Sequence, residues 1–108
     1  MNLAYDRGRL AELFGDDPVT LAEIEREFLD TARGAEREIR DTDDLETIAQ
    51  AAHRVKGASG MIGANALSQV AAAVEKAAKT HGLTAVRRLE ESFSHEVTKV
   101  AILMSDSD

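Results

Sequence analysis

The chain has no cysteine, one proline and far fewer basic than acidic residues: 13 Lys and Arg against 20 Asp and Glu, for a formal net charge of −7 over 108 residues. Without cysteine, neither disulfides nor thiolate metal sites contribute, and a reducing cytoplasm suits the sequence. The acidic balance repels a phosphate backbone, and basic residues cluster only in short pairs such as Arg87-Arg88, so nucleic acid is not an expected partner. No stretch approaches the roughly 20 apolar residues that cross a bilayer, and MNLAYDRGRL lacks the basic start and apolar run of a signal peptide. A cytoplasmic protein without membrane attachment is expected. No glycine-rich loop followed by Lys and Ser or Thr is present, which argues against ATP binding.

What remains is a sequence that is 44% hydrophobic and helical in its periodicity nearly throughout. It is long enough for one compact core and too short for two ordinary domains, so residues 1–108 are expected to form a single domain. Asp17 caps and Pro18 opens a long amphipathic helix over 18–40, whose stripe is Leu21, Ile24, Phe28, Ala32, Ala35 and Ile39. After the polar DTDD, Asp43 with Glu46 resembles a capping box, and Leu45, Ile48, Ala52 and Val55 form the next core face. A further helix fits 65–80, with Leu67, Val70, Ala71, Val74 and Ala78 inward and Gly82 as its C-terminal cap. Thr84 is positioned to cap the last helix, striped by Val86, Leu89, Phe93, Val97, Val100 and Met104, with the terminal SDSD expected to fray. Leu3, Leu10, Leu13 and Phe14 suggest a short helix before the break at Gly15. These elements predict an all-α, antiparallel up-down-up-down four-helix bundle with a short additional N-terminal helix. An extended dimeric coiled coil is the weaker alternative, since the stripes are too interrupted for it, and a monomer is expected.

One segment fits helix formation poorly. AHRVKGASGMIG, residues 52–63, places Gly57, Gly60 and Gly63 close behind His53 and Lys56, and each interior glycine costs a helix about 1 kcal/mol relative to alanine. At about 100° per residue from Leu45, the core side chains cluster near roughly −60°, whereas His53 falls near roughly 80°, off the buried stripe. Lys56 and Gly57 lie one turn after it. A neutral imidazole is nucleophilic near neutral pH, and an ammonium one turn away offsets the charge of a phosphoryl group on the ring. The missing side chain of Gly57 lets phosphate oxygens or a partner's loops approach the helix. A turn around Gly63, with its mirror point near Ala64, puts Glu75 at the height of His53. A carboxylate there would accept the Nδ1 proton and leave Nε2 as the nucleophile. Taken singly, the same residues have plainer readings: a solvated His, a surface Lys, and a Glu75 paired with Lys79 in an i,i+4 ion pair. Gly60 has the plain reading of helping to end its helix. His81 and His95 read as structural or solvated, and HEVTK lacks the second histidine of a zinc-protease helix.

His53-Arg-Val-Lys56-Gly57, with Gly63 beyond it, resembles the phosphorylation-site signature of histidine-containing phosphotransfer domains. EREFLDTA, residues 25–32, is similar to that family's first long bundle helix, and VEKAA from Val74 to the helix facing the site. The resemblance covers most of the chain and implies that His53 is the phosphoryl carrier, Lys56 the electrostatic helper and Gly57 the close-approach position. Some members place a glutamate or glutamine at the position of Glu75 against the histidine; Gly60 matches no fixed position. The implied partners are response-regulator receiver domains and sensor or hybrid histidine kinases. The implied chemistry is reversible transfer between His53 and a receiver aspartate, with Mg²⁺ on the receiver and no cofactor or metal held by this chain. Leu10, Leu13 and Phe14 are candidates to border the receiver surface, or else to belong to the core. Two other functions compete: a sensor kinase's phosphoacceptor and dimerisation domain, and a noncatalytic helical adaptor. Against the former, Arg54 rather than an acidic residue follows His53, and no proline follows Pro18.

Overall fold

A computed structural model describes residues 4–105 of the chain. Five helices follow one another: α1 (Arg7–Phe14), α2 (Pro18–Asp41), α3 (Leu45–Met61), α4 (Asn65–Thr80) and α5 (Leu83–Ser105), and no strand occurs among the described residues. Helices α2 to α5 form the antiparallel four-helix bundle that the stripes predict, and α1 packs beside it. Neighbours in sequence are neighbours in space, and α2 meets α5 to close the ring. The interface of α3 with α4 is the most extensive and that of α2 with α5 the thinnest of the four seams. The molecule extends 42 × 26 × 20 Å, its long axis near the roughly 36 Å that a 24-residue helix spans at 1.5 Å per residue.

Both α2 and α3 open with an Asp-x-x-Thr cap. Asp17 Oδ2 accepts from the Thr20 amide and hydroxyl at 3.2 and 2.7 Å, and Asp44 Oδ2 accepts from those of Thr47 at 3.1 and 2.5 Å. The cap of α3 is thus Asp44, not the expected Asp43. In the Asp44 register Thr47 supplies both its amide and its hydroxyl to one carboxylate. Asp43 instead pairs with Arg87 Nη2 at 3.0 Å. Arg87 also donates to the carbonyls of Ile39 at 2.7 Å and Thr42 at 2.6 Å, so a cation on α5 satisfies orphan acceptors at the C-terminus of α2.

The α3–α4 turn is a six-residue closure. The Ala64 amide donates to the Ser59 carbonyl at 2.9 Å and the Gly63 amide to the Gly60 carbonyl at 3.3 Å, with Gly63 at φ +80°. A Cβ on Gly63 would also lie 3.1 Å from Cγ of Arg9, because α1 crosses this turn. Two expectations about the α4–α5 corner change. The C-cap of α4 is His81, with Gly82 following at φ +101° and its amide donating to the Ala77 carbonyl at 2.8 Å. The carbonyl of Gly82 accepts from Val86 at 3.2 Å, so α5 starts at Leu83 and Thr84 lies in its first turn rather than capping it.

Alanine and branched residues fill the core, with Leu10, Ile39, Ile48, Val55, Leu67 and Phe93 among its largest fully buried side chains. Ile24, Leu45, Val70 and Leu89 are only partly buried, at the margins of their stripes. Leu10 anchors α1, whereas Leu13 and Phe14 are exposed and not core. A charged cluster also holds α1: Glu25 of α2 is buried and accepts from the Tyr5 hydroxyl at 2.8 Å, with Arg7 Nε at 3.4 Å from the same oxygen. Burial and the Glu25 carboxylate push the Tyr5 hydroxyl well above its ordinary ionisation range. The expectation for Leu3, and that for the end of SDSD beyond Ser105, lie outside the described residues.

Candidate functional site

The site is built across the α3–α4 interface, where Ala49 and Ala52 of α3 and Ala71 and Ala78 of α4 are buried. Such small side chains let two helices approach closely enough for charged side chains on the flanks to meet. His53, about 140° from the core stripe of α3, and Glu75, about 80° from Leu67 on α4, flank this seam from opposite sides.

Glu75 is the hub. Its side chain is 8% exposed, and Oε2 lies 2.9 Å from Nδ1 of His53 and 3.0 Å from Nζ of Lys79, while Oε1 lies 2.6 Å from Nζ of Lys56. The hydrogen bond from Lys56, then those from Lys79 and His53, outweigh the opposing effect of burial and hold its carboxyl near a pKa of about 2. A carboxylate ionised at neutral pH only accepts, so the facing Nδ1 carries a proton, and in the neutral ring Nε2 keeps its lone pair. The His53 side chain is 65% exposed, so that lone pair is directed away from the buried carboxylate toward solvent.

The four residues singled out in the sequence are brought to one face. Lys56 sits one turn past His53 with its side chain 36% exposed, in contact with the hub on its inner side. A Cβ built on Gly57 meets nothing within 4 Å, so the fold does not require glycine there, and the open space lies on the face of His53. Gly60 is nearer to α4: a Cβ there would lie 3.5 Å from Oγ of Ser68, an ordinary contact, and that hydroxyl donates to the Lys56 carbonyl at 3.0 Å. A groove beside His53 is lined by Leu45, Glu46, Ala49, Gln50, Arg54 and Lys79.

The Glu75–Lys79 pair and a meeting of Glu75 with His53 are not alternatives: one carboxylate makes both contacts and a third to Lys56. The i,i+4 spacing in EKAAK carried that signal for Lys79. The ion pair of Arg54 with Glu38 on α2, at 2.7 Å, went unread, because nothing in the pattern ties those positions together. His81 and His95 are exposed and do not line this groove. Among the described residues, no three His, Cys, Asp or Glu side chains are grouped to hold a metal ion, and no helix is long and apolar enough to cross a membrane.

Comparison with known proteins agrees with the resemblance. The family model of the Hpt domain matches residues 10–102, nearly the whole chain, and no curated protein or solved structure matches it.

Proposed function

Since the chain belongs to the Hpt domain family, with its general role in phosphotransfer, we propose that it is a phosphoryl carrier of a two-component phosphorelay, acting in the cytoplasm as a single monomeric domain. His53 takes a phosphoryl group from the aspartate of one receiver domain, or from a sensor or hybrid kinase, and gives it to another. The observation that supports this reading best is a solvent-facing imidazole whose inner nitrogen is bonded to a buried, ionised carboxylate.

The reaction follows from that arrangement. The Nε2 lone pair attacks phosphorus in line, the N–P bond forms, and the O–P bond to the donor aspartate breaks with its electrons leaving on the carboxylate. Lys56 offsets charge on the arriving phosphoryl oxygens, and the space above Gly57 admits the receiver's loops close to the helix. Positioning and charge carry most of such a transfer. The receiver brings the Mg²⁺ and most of the catalytic groups, and this chain supplies the nucleophile without autophosphorylating from ATP.

Incubation with phosphorylated receiver domains tests the assignment. The expected product is an acid-labile, base-stable phosphate on His53, absent from His53→Gln, whose bundle stays folded because the replaced ring is largely exposed. Undiminished phosphorylation of the variant removes the assignment. A chain that no receiver in a broad panel phosphorylates is an adaptor instead.

A further inference from the structure

A nucleophile needs only its lone pair, but a carrier must also give its cargo back. The two demands meet at Nδ1. Before transfer the ring is neutral, with its proton on Nδ1 facing Glu75 Oε2 at 2.9 Å. Once Nε2 forms the N–P bond, the electron pair of the broken O–P bond stays on the donor aspartate and no proton has moved, so the ring becomes a phosphoryl-imidazolium that still carries the Nδ1 proton. In this state the imidazole is a good leaving group: on return, the N–P electrons fall back onto Nε2 and regenerate the neutral ring. If water removed the Nδ1 proton in between, the phosphorylated ring would be neutral and a far poorer donor.

Resting on the proposed carrier role of His53, we propose that Glu75 retains the Nδ1 proton on the phosphorylated ring, which keeps His53 able to donate and makes transfer reversible without proton exchange with solvent. Glu75 is then a positioning residue for the second half of the reaction as much as for the first. Burial of its carboxylate strengthens its pairing with a cationic ring. Lys56 and Lys79 make it a weak base, so the proton stays on nitrogen rather than passing to oxygen. The division between the lysines is uneven: Lys79 shares Oε2 with His53, while Lys56 uses the other oxygen. The other charged residues lining the groove beside the ring are Glu46 and Arg54 of α3, and Arg54 is engaged by Glu38 of α2. Glu75 is therefore the carboxylate bonded to the ring itself.

The test uses the whole chain labelled with ¹⁵N in histidine and loaded with phosphoramidate, a small donor that needs no partner. In wild type the ¹⁵N shift of Nδ1 in phosphorylated His53 is expected to stay that of a protonated nitrogen from about pH 6 to about pH 9. Phosphoryl donation to an unphosphorylated receiver is expected to stay level over the same range. Glu75→Gln keeps an acceptor of the same shape but loses the charge. It is expected to slow both directions, with donation falling further, by about tenfold per pH unit above neutrality as Nδ1 deprotonates. An Nδ1 that titrates in wild type as it does in Glu75→Gln, with parallel pH profiles for donation, overturns the proposal while leaving the carrier role intact. No phosphohistidine at position 53 from phosphoramidate or any receiver overturns the carrier role, and the proposal with it. The wild-type shift decides the matter even if Glu75→Gln folds poorly.

Discussion

Two of the three glutamates buried among the described residues, Glu25 and Glu75, serve different parts of this bundle. Glu25 and Glu75 are similarly inaccessible and each has a basic side chain within ion-pair reach. Glu25 faces α1 and meets Tyr5 and Arg7, so its contacts fasten one helix to another. Glu75 meets two lysines and then bonds a ring that is mostly in solvent. A buried carboxylate by itself marks nothing more than a satisfied polar group. What sets Glu75 apart, as the proposed site requires, is a partner side chain that is mostly exposed.

Breaking each side should therefore have different signatures. The largest loss of stability is expected on the α1 side: Leu10→Ala, at a fully buried position, should cost about 2–5 kcal/mol in denaturant melts. Tyr5→Phe should cost about 1–3 kcal/mol by leaving Glu25 short of a donor. Below its melting temperature, that variant should accept phosphoryl groups at the wild-type rate. A matching loss of transfer would mean that the two regions are coupled.

Titration separates the same two regions by sign. Glu75 has a folded value near 2 against an ordinary 4.5, so its contribution to stability is full above about pH 4.5 and is lost as pH falls toward 2. Tyr5 is shifted upward from 10.0, so its contribution is full below pH 10 and is lost above it. Glu75→Gln should flatten only the acid limb of stability against pH, and Tyr5→Phe only the alkaline limb, as read from chemical denaturation at each pH.

The smallest effect sharpens the contrast most. Gly57→Ala finds open space in a helix, so it should stabilise the bundle by up to about 1 kcal/mol while slowing transfer to a receiver. A variant both more stable and equally fast would show that the missing side chain serves nothing outside the fold.

The sequence made the helices legible because their stripes repeat over many turns, and the 65–80 expectation matches α4 residue for residue. Its errors sit at ends, where one hydrogen bond decides. Thr47 moved the α3 cap from Asp43 to Asp44, and the Gly82 carbonyl took the cap position that Thr84 was expected to fill. The meeting of His53 with Glu75 was legible because an antiparallel hairpin converts equal distances from a turn into equal heights. Arg87 was not: its acceptors are carbonyls of Ile39 and Thr42, and a main-chain oxygen carries no side-chain identity to read.

Arg87 also bears on how the bundle opens. It rivets α5 to the end of α2 across the thinnest of the four seams, whereas α3 and α4 share the broadest. Local opening begins where burial is least, so amide exchange should find α2 parting from α5 first and the α3–α4 hairpin exchanging last. His53 and Glu75 both belong to that hairpin, so the proposed carrier site rides on the element that outlasts the breathing of the rest.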